Sequence, residues 1–223
     1  MNKTKVKICG LQSVEVLKSM NNLPIDYIGF VFAKSRRQVA PGAAAEMAET
    51  AKAWEGVPAP RTVGVFVNPD MERLEDVMSR VALDVIQLHG QESPDFCREV
   101  KNRFQAELFK VVSVEPQHRS DGNPILIQDY AGAIDALLLD TFEPQYGGGS
   151  GTTFAWDKIP AYQKWTRKQG IPLLVAGGLN ASNVAGLVRD YAPDGVDVSS
   201  GVETNGTKDL EKIAAFVERV KQA

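Results

Sequence analysis

Residues 5–12, KVKICGLQ, decide between two ways of folding an alternating α/β chain. Lys5-Val6-Lys7-Ile8-Cys9 alternates polar and apolar side chains as a β-strand does, and Gly10 ends the run. An open, doubly wound sheet that binds a dinucleotide carries Gly-x-Gly-x-x-Gly at this junction. Here the strand gives way to Cys9-Gly10-Leu11-Gln12, so the fingerprint of the open sheet is missing.

Outward from this strand, similar short runs recur to the end of the chain: DYIGFVF, RTVGVFV, LDVIQLH, AELFKVV, DALLLD, PLLVAG and GVDVSS. With the first they make eight. Helix-like segments separate them, at 12–20, 41–54, 70–81, 94–103, 156–168, 181–189 and 208–220, with a weaker one near Gln128. Strands alternating with helices form βαβ units and a parallel sheet. Eight such units in 223 residues predict a closed (β/α)8 TIM barrel spanning 1–223 as one domain, with no linker.

The formal net charge of −3 gives no electrostatic case for a nucleic acid or membrane-surface partner. No apolar run reaches the ~18 residues of a membrane span. Cys9 and Cys97 lack the spacing of a zinc or redox pair, and two histidines cannot form a ligand cluster, so no metal is expected. A cytoplasmic, reducing location follows from this cysteine usage.

Barrel enzymes place their chemistry at the C-terminal ends of the strands. Cys9 ends strand one, Gln87 and His89 end strand four, Asp140 ends strand six, and Asp197 lies in strand eight. Period-two alternation puts Lys5 and Lys7 on the face of Cys9, where an ammonium would favour thiolate. Cys9 then reads as a base or nucleophile, or else as a small buried hydrophobe. Asp140 emerges from Ala136-Leu137-Leu138-Leu139 and reads as a general acid, or as a loop cap or ion-pair partner. Cys97, in PDFCREV, reads as core.

Strand seven runs into Gly177-Gly178 and a helix expected to be capped by Asn180 or Ser182, while strand eight runs into Ser199-Ser200-Gly201. Loops after strands seven and eight hold phosphate in many barrels, and glycines admit a close approach of the backbone. Gly201 to Gly206 has the glycine spacing of a P-loop, but Thr207-Lys208 reverses the required order and Glu203 would repel phosphate. Arg36 and Arg37, after strand two, can fork a carboxylate or phosphate. The connection 141–155, TFEPQYGGGSGTTFA, is long for its class and reads as a lid.

KICGL, GFVFAKSRR, GVFVN, IQLHG, LLLDT with GGSGTTFAW, VAGGL and VDVSSGVE, in this order along essentially the whole chain, together resemble the phosphoribosylanthranilate isomerase family of tryptophan biosynthesis. The resemblance implies a monofunctional barrel that converts N-(5-phosphoribosyl)anthranilate to 1-(2-carboxyphenylamino)-1-deoxyribulose 5-phosphate by an Amadori rearrangement, without cofactor. It implies Cys9 as general base, Asp140 as general acid and Arg37, rather than Arg36, as the carboxylate ligand. It also implies phosphate on Gly177, Gly178, Ser200 and Gly201, and Asp197 near the sugar hydroxyls. Gln87 and His89 are read as substrate-contacting groups. The expected partner is a small phosphorylated substrate, met by a monomer. Thr152 and Ala155 stand where some members carry Lys and Asp, so a cation in the lid is absent here. The histidine-pathway isomerase, a duplicated half-barrel with two strand-end aspartates, fits less well, because strand one ends in cysteine and no second VAGGL-like segment occurs.

Overall fold

The computed structural model describes residues 4–114, 127–141 and 156–223. Eight parallel strands close on themselves: β1 (Lys5–Cys9), β2 (Tyr27–Val31), β3 (Arg61–Phe66), β4 (Val85–Leu88), β5 (Glu107–Val114), β6 (Ala136–Thr141), β7 (Leu173–Val175) and β8 (Gly195–Val198). Closure is made by β8 against β1, with Lys7 in register with Asp197 and Ile8 with Val198.

Strand alternation sorts the side chains into two cores. One set fills the barrel, including Tyr27, Val63, Val85, Phe109, Val111, Leu138 and Leu174. The larger set faces outward, where Ile8, Phe30, Ile86, Leu137 and Val196 meet the helices. Those helices are α1 (Val14–Ser19), α2 (Pro41–Lys52), α3 (Met71–Arg80), α4 (Pro94–Arg103), α5 (Ile159–Gln169), α6 (Val184–Tyr191) and α7 (Leu210–Gln222). Several starts are set by a side chain that satisfies N–H groups the helix leaves open: Ser13 for α1, Asp70 for α3, Ser93 for α4 and Asp209 for α7.

The structure departs from the sequence expectations in five places. The weak helix near Gln128 is a single 3-10 turn, Ile127–Tyr130, and the segment from 156 opens with another, Trp156–Lys158, before α5. The helix after strand seven starts at Val184 with Asn183 in the cap position, not at Asn180 or Ser182. Ser199 and Ser200 lie beyond β8, and Ser200–Val202 forms a further 3-10 turn. Lys208 belongs not to the last helix but to a two-stranded ribbon, β9 (Glu203–Thr204) against β10 (Thr207–Lys208). Asn205 and Gly206 make its turn with φ of 51° and 81°. A two-residue hairpin with φ positive at both positions matches right-handed strand twist, and Asn-Gly is its preferred sequence. That signal was present inside the rejected P-loop pattern. The expected lid, apart from Thr141, lies outside the described residues.

The N-terminal mouth of the barrel is closed by charge and aromatic surface. Lys5 Nζ donates to Tyr27 Oη at 3.1 Å, and Arg61 pairs with Glu107 at 2.9 Å. Lys5 is thus engaged two repeats of the alternation below Cys9, and only Lys7 of the two expected lysines acts on the thiol.

Candidate active site

At the opposite mouth, one pocket is lined by Cys9, Arg37, Gln87, His89, Asp140, Gly177, Gly178, Asp197, Ser200 and Gly201. Every sequence-predicted site residue is therefore brought to the same cavity. Six of the eight strand ends, or the loops beyond them, supply the set.

Cys9 ends β1 in register with Gly29 of β2. A Cβ on Gly29 would lie 2.8 Å from the Cys9 Sγ, so the space for the thiol is made by the missing side chain next door. Directly below, the buried Lys7 Nζ donates to Asp197 Oδ2 at 2.9 Å. Burial works to lower the Lys7 pKa, but the Asp197 and Cys9 charges outweigh it and hold the ammonium above its ordinary value. For Cys9 the balance goes the other way. Burial pushes the thiol up, Lys7 and Lys208 pull it down, Asp197 adds to the push, and the net direction is upward. The lysine on its face thus keeps the thiolate accessible without making it the resting form, a correction to the sequence expectation.

Asp140, at the end of β6, accepts the Thr141 backbone N–H on Oδ1 at 2.7 Å and meets His89 Nε2 with Oδ2 at 3.2 Å. Gln87 Nε2 lies 3.4 Å from His89 Nδ1, which makes a row Gln87, His89, Asp140 along the pocket wall. Gly177 has φ of 83°, and a Cβ there would run into Thr141 Oγ1 and stand 3.0 Å from Asp140 Oδ1. Only glycine lets β7 close over the acid. The loop just after His89 is fixed: Lys110 Nζ donates to Gly90 O at 2.8 Å and to Glu92 Oε2 at 2.9 Å, while Glu92 Oε1 accepts the Asn68 N–H at 2.8 Å.

Two buried acceptors, Gln87 Oε1 and Asp197 Oδ1, have no hydrogen-bond partner among the described residues. Both residues line the pocket. A buried acceptor without a donor costs roughly 1–3 kcal/mol, a cost that hydroxyl or N–H groups of a ligand can remove.

The loops after β7 and β8 touch through their backbones. A Cβ on Gly201 would collide with Leu179 O, and Asn183 Nδ2 donates to Gly178 O at 3.0 Å while its Oδ1 accepts the Asn180 N–H at 2.9 Å. Asn183 therefore spends its side chain on shaping the loop rather than capping α6. The first N–H groups of the Ser200–Val202 turn have no acceptor inside the turn and form a rim suited to an anion.

Arg37 is nearly covered, with its side chain 10 % exposed, while that of Arg36 is 59 % exposed and outside the pocket. Sequence reading missed their common partner. Glu203 Oε1 accepts from Arg37 Nε at 2.7 Å and Lys208 Nζ at 2.8 Å, and Oε2 accepts from Arg37 Nη2 and Arg36 Nη2, each at 3.0 Å. Burial acts to raise the Glu203 pKa, but Arg37 and Lys208 prevail and lower it. Lys208 is driven below its usual range by burial, against the pull of Glu203. Nothing before the Asn205-Gly206 turn is recognised could have placed Glu203 here.

A closed (β/α)8 barrel with thiol, carboxylate, guanidinium and glycine loops gathered at the C-terminal mouth defines a barrel enzyme. The family profile described as N-(5'phosphoribosyl)anthranilate (PRA) isomerase matches residues 6–219. The N-(5'-phosphoribosyl)anthranilate isomerase of Brevibacillus brevis is 44 % identical over 219 residues, 98 % of this chain and 94 % of that protein. That of Listeria monocytogenes serovar 1/2a is 46 % identical over 218 residues, 97 % of this chain and 98 % of the other. A crystal structure of monomers generated from the dimeric enzyme of Thermotoga maritima superposes with a TM-score of 0.79 at 34 % identity, covering 99 % of this chain and 100 % of that one. A further structure, of the isomerase in complex with reduced 1-(o-carboxyphenylamino)-1-deoxyribulose 5-phosphate, gives a TM-score of 0.77 at 34 % identity with the same coverage. The chain belongs to the phosphoribosylanthranilate isomerase family and is an isomerase of tryptophan biosynthesis.

Proposed function

We propose that the enzyme carries out the Amadori rearrangement of N-(5'-phosphoribosyl)anthranilate with Asp140 as general acid and Cys9 as general base. Asp140 protonates the furanose ring oxygen, the ring opens as the nitrogen lone pair forms a protonated Schiff base, and Cys9 thiolate removes the C2′ proton. The resulting enolamine tautomerises to the aminoketose. The observation that carries this reading is the placement of Cys9 and Asp140 in one pocket, on strands separated round the barrel only by β8 and β7. Each such proton transfer typically contributes ~10²- to 10⁴-fold in rate.

The remaining groups take the non-reacting parts of the substrate. Arg37 holds the anthranilate carboxylate, and the backbone of Gly177, Gly178, Ser200 and Gly201 holds the phosphate. Asp197 Oδ1 and Gln87 Oε1 accept from sugar hydroxyls and His89 supports Asp140. The enzyme is read as a monomer in a reducing cytoplasm, which keeps Cys9 a thiol.

The test is a fluorescence assay with freshly generated phosphoribosylanthranilate. Cys9→Ser and Asp140→Asn each abolish turnover while the folded protein still binds the reduced product analogue. Near-normal kcat in either variant overturns the role of that residue, and no turnover by the unaltered protein makes it a silent sugar-phosphate binder.

A further inference from the structure

The ribbon β9–β10 is not needed to close the barrel, yet it plants two nearly buried charged side chains, Glu203 at 5 % and Lys208 at 4 % exposure, at the catalytic mouth. Glu203 is shared by Arg36, Arg37 and Lys208. Three cations on one carboxylate leave a local excess of two positive charges, beside a pocket read as taking a substrate with a carboxylate and a phosphate.

The geometry on Arg37 is directional. Glu203 occupies Nε and one N–H of Nη2, the side edge of the guanidinium fork. The end edge, Nη1 with the second N–H of Nη2, is engaged by none of the described residues and belongs to a side chain that lines the pocket. An arginine whose side edge is fixed presents its other fork in one orientation, which is what bidentate carboxylate binding requires. The stem of Arg37 is seated on Gly10, where a Cβ would stand 2.5 Å from Cδ, so this fork is anchored on the residue after Cys9.

The same carboxylate also reaches the backbone of Cys9. Lys208 Nζ donates to Ser199 O at 2.8 Å, and Ser199 Oγ donates to Cys9 O at 3.1 Å. A buried ammonium without Glu203 would lose its proton more readily. The charged groups facing Cys9 are Lys7 from its own strand, Asp197 from β8 and Lys208 from β10; those facing Lys208 are Glu203, Arg37 and Cys9.

We propose that Glu203 is a positioning residue for both halves of the site: it turns the free edge of Arg37 toward the substrate carboxylate and keeps the Lys208 ammonium beside Cys9. This rests on the assignment of Arg37 to the carboxylate and Cys9 to the base.

The test compares Glu203→Gln, Lys208→Met and the unaltered enzyme in two readouts. One is the KM against kcat split with phosphoribosylanthranilate. The other is the pH midpoint of the ultraviolet thiolate absorbance, taken as the difference from Cys9→Ser. Glu203→Gln is expected to raise KM about tenfold, the loss of one charge-assisted orientation, and to move the thiol midpoint upward by about one pH unit. Lys208→Met is expected to move the midpoint and leave KM within about twofold, less than the loss of one net hydrogen bond. An unchanged KM in Glu203→Gln overturns the Arg37 half, and an unchanged midpoint overturns the Lys208 half. Should Glu203→Gln fail to fold, the double variant Glu203→Gln with Lys208→Met removes both buried charges together and is read for the same rise in KM. Near-normal activity of Arg37→Ala and Cys9→Ser in parallel would instead remove the underlying assignments.

Discussion

Gly29 of β2 stands beside Cys9 of β1 in register, and the thiol occupies the space that any other side chain at 29 would fill. A Cβ would sit 2.8 Å from Sγ and 3.2 Å from the Cys9 Cα, and the second of these is backbone that cannot rotate away. Gly29→Ala is therefore expected to destabilise the barrel by about 1–3 kcal/mol, as overpacking does, and to lower kcat more than tenfold by displacing the base. Urea unfolding and steady-state kinetics on one preparation check both numbers, and a variant with full kcat would show that the thiol tolerates displacement.

Arg37 and Arg36 share Glu203 but differ in their exposure, 10 % against 59 %, and in whether they line the pocket. Arg37→Ala is expected to raise KM by about tenfold or more, since a charge-assisted hydrogen bond is worth roughly 1.5–3 kcal/mol, whereas Arg36→Ala changes it by less than about twofold. Equal effects would mean that the carboxylate is held by neither in preference.

The upward displacement of the Cys9 pKa has a sign that kinetics can read. Burial is its largest cause, so the free enzyme carries the thiol near neutral pH and only a small thiolate fraction acts as base. The profile of kcat/KM should climb with pH through the neutral range, approaching about tenfold per pH unit, and flatten only above the ordinary thiol value of about 8.5. Lys7→Met removes a group that pulls the thiol down and should push this limb to still higher pH. A profile already flat from pH 6 upward would refute the resting thiol.

Lys110 and Glu92 form an ion pair with side chains 3 % and 2 % exposed, and Glu92 also accepts the N–H groups of Asn68 and Gly90. Lys110→Met should cost about 3–5 kcal/mol by stranding a buried charge. Adding Glu92→Gln should restore more stability than adding Glu92→Leu, because glutamine still accepts a backbone N–H where leucine leaves both unpaired. Urea midpoints for the three variants decide this.

The barrel was legible because its evidence is local and repeated. Each strand announces itself by alternation or by an apolar run such as Ala136-Leu137-Leu138-Leu139, and several helix starts by a residue such as Ser93 before Pro94. The candidate site was legible for a topological reason, since a residue at a strand end in a closed parallel barrel has one mouth to face. What escaped was set by contacts distant in sequence or by competition between charges. Glu203 meets Arg37 across 166 positions, so its role is invisible until the Asn205-Gly206 turn and the barrel closure are combined. The direction of the Cys9 shift depended on burial outweighing two lysines, a comparison that alternation cannot make. The start of α6 moved past Asn180 because the side chains of Asn180 and Asn183 bond within the loop, Asn180 to the Ser182 N–H and Asn183 to Gly178 and Asn180, which helical patterning does not show.

The seam between β1 and β8 joins groups 190 positions apart, Lys7 to Asp197 and Ser199 to Cys9. Lys221 of the last helix adds a bond to Thr4 across 217 positions. The surroundings of the first strand's thiol are thus completed only by the final quarter of the chain. During synthesis the cysteine emerges early and waits, without its buried lysine partner's counter-charge, until the eighth strand docks. Activity in a refolding experiment should consequently be among the last signals to return, later than helix content, and would time the closure of the ring itself.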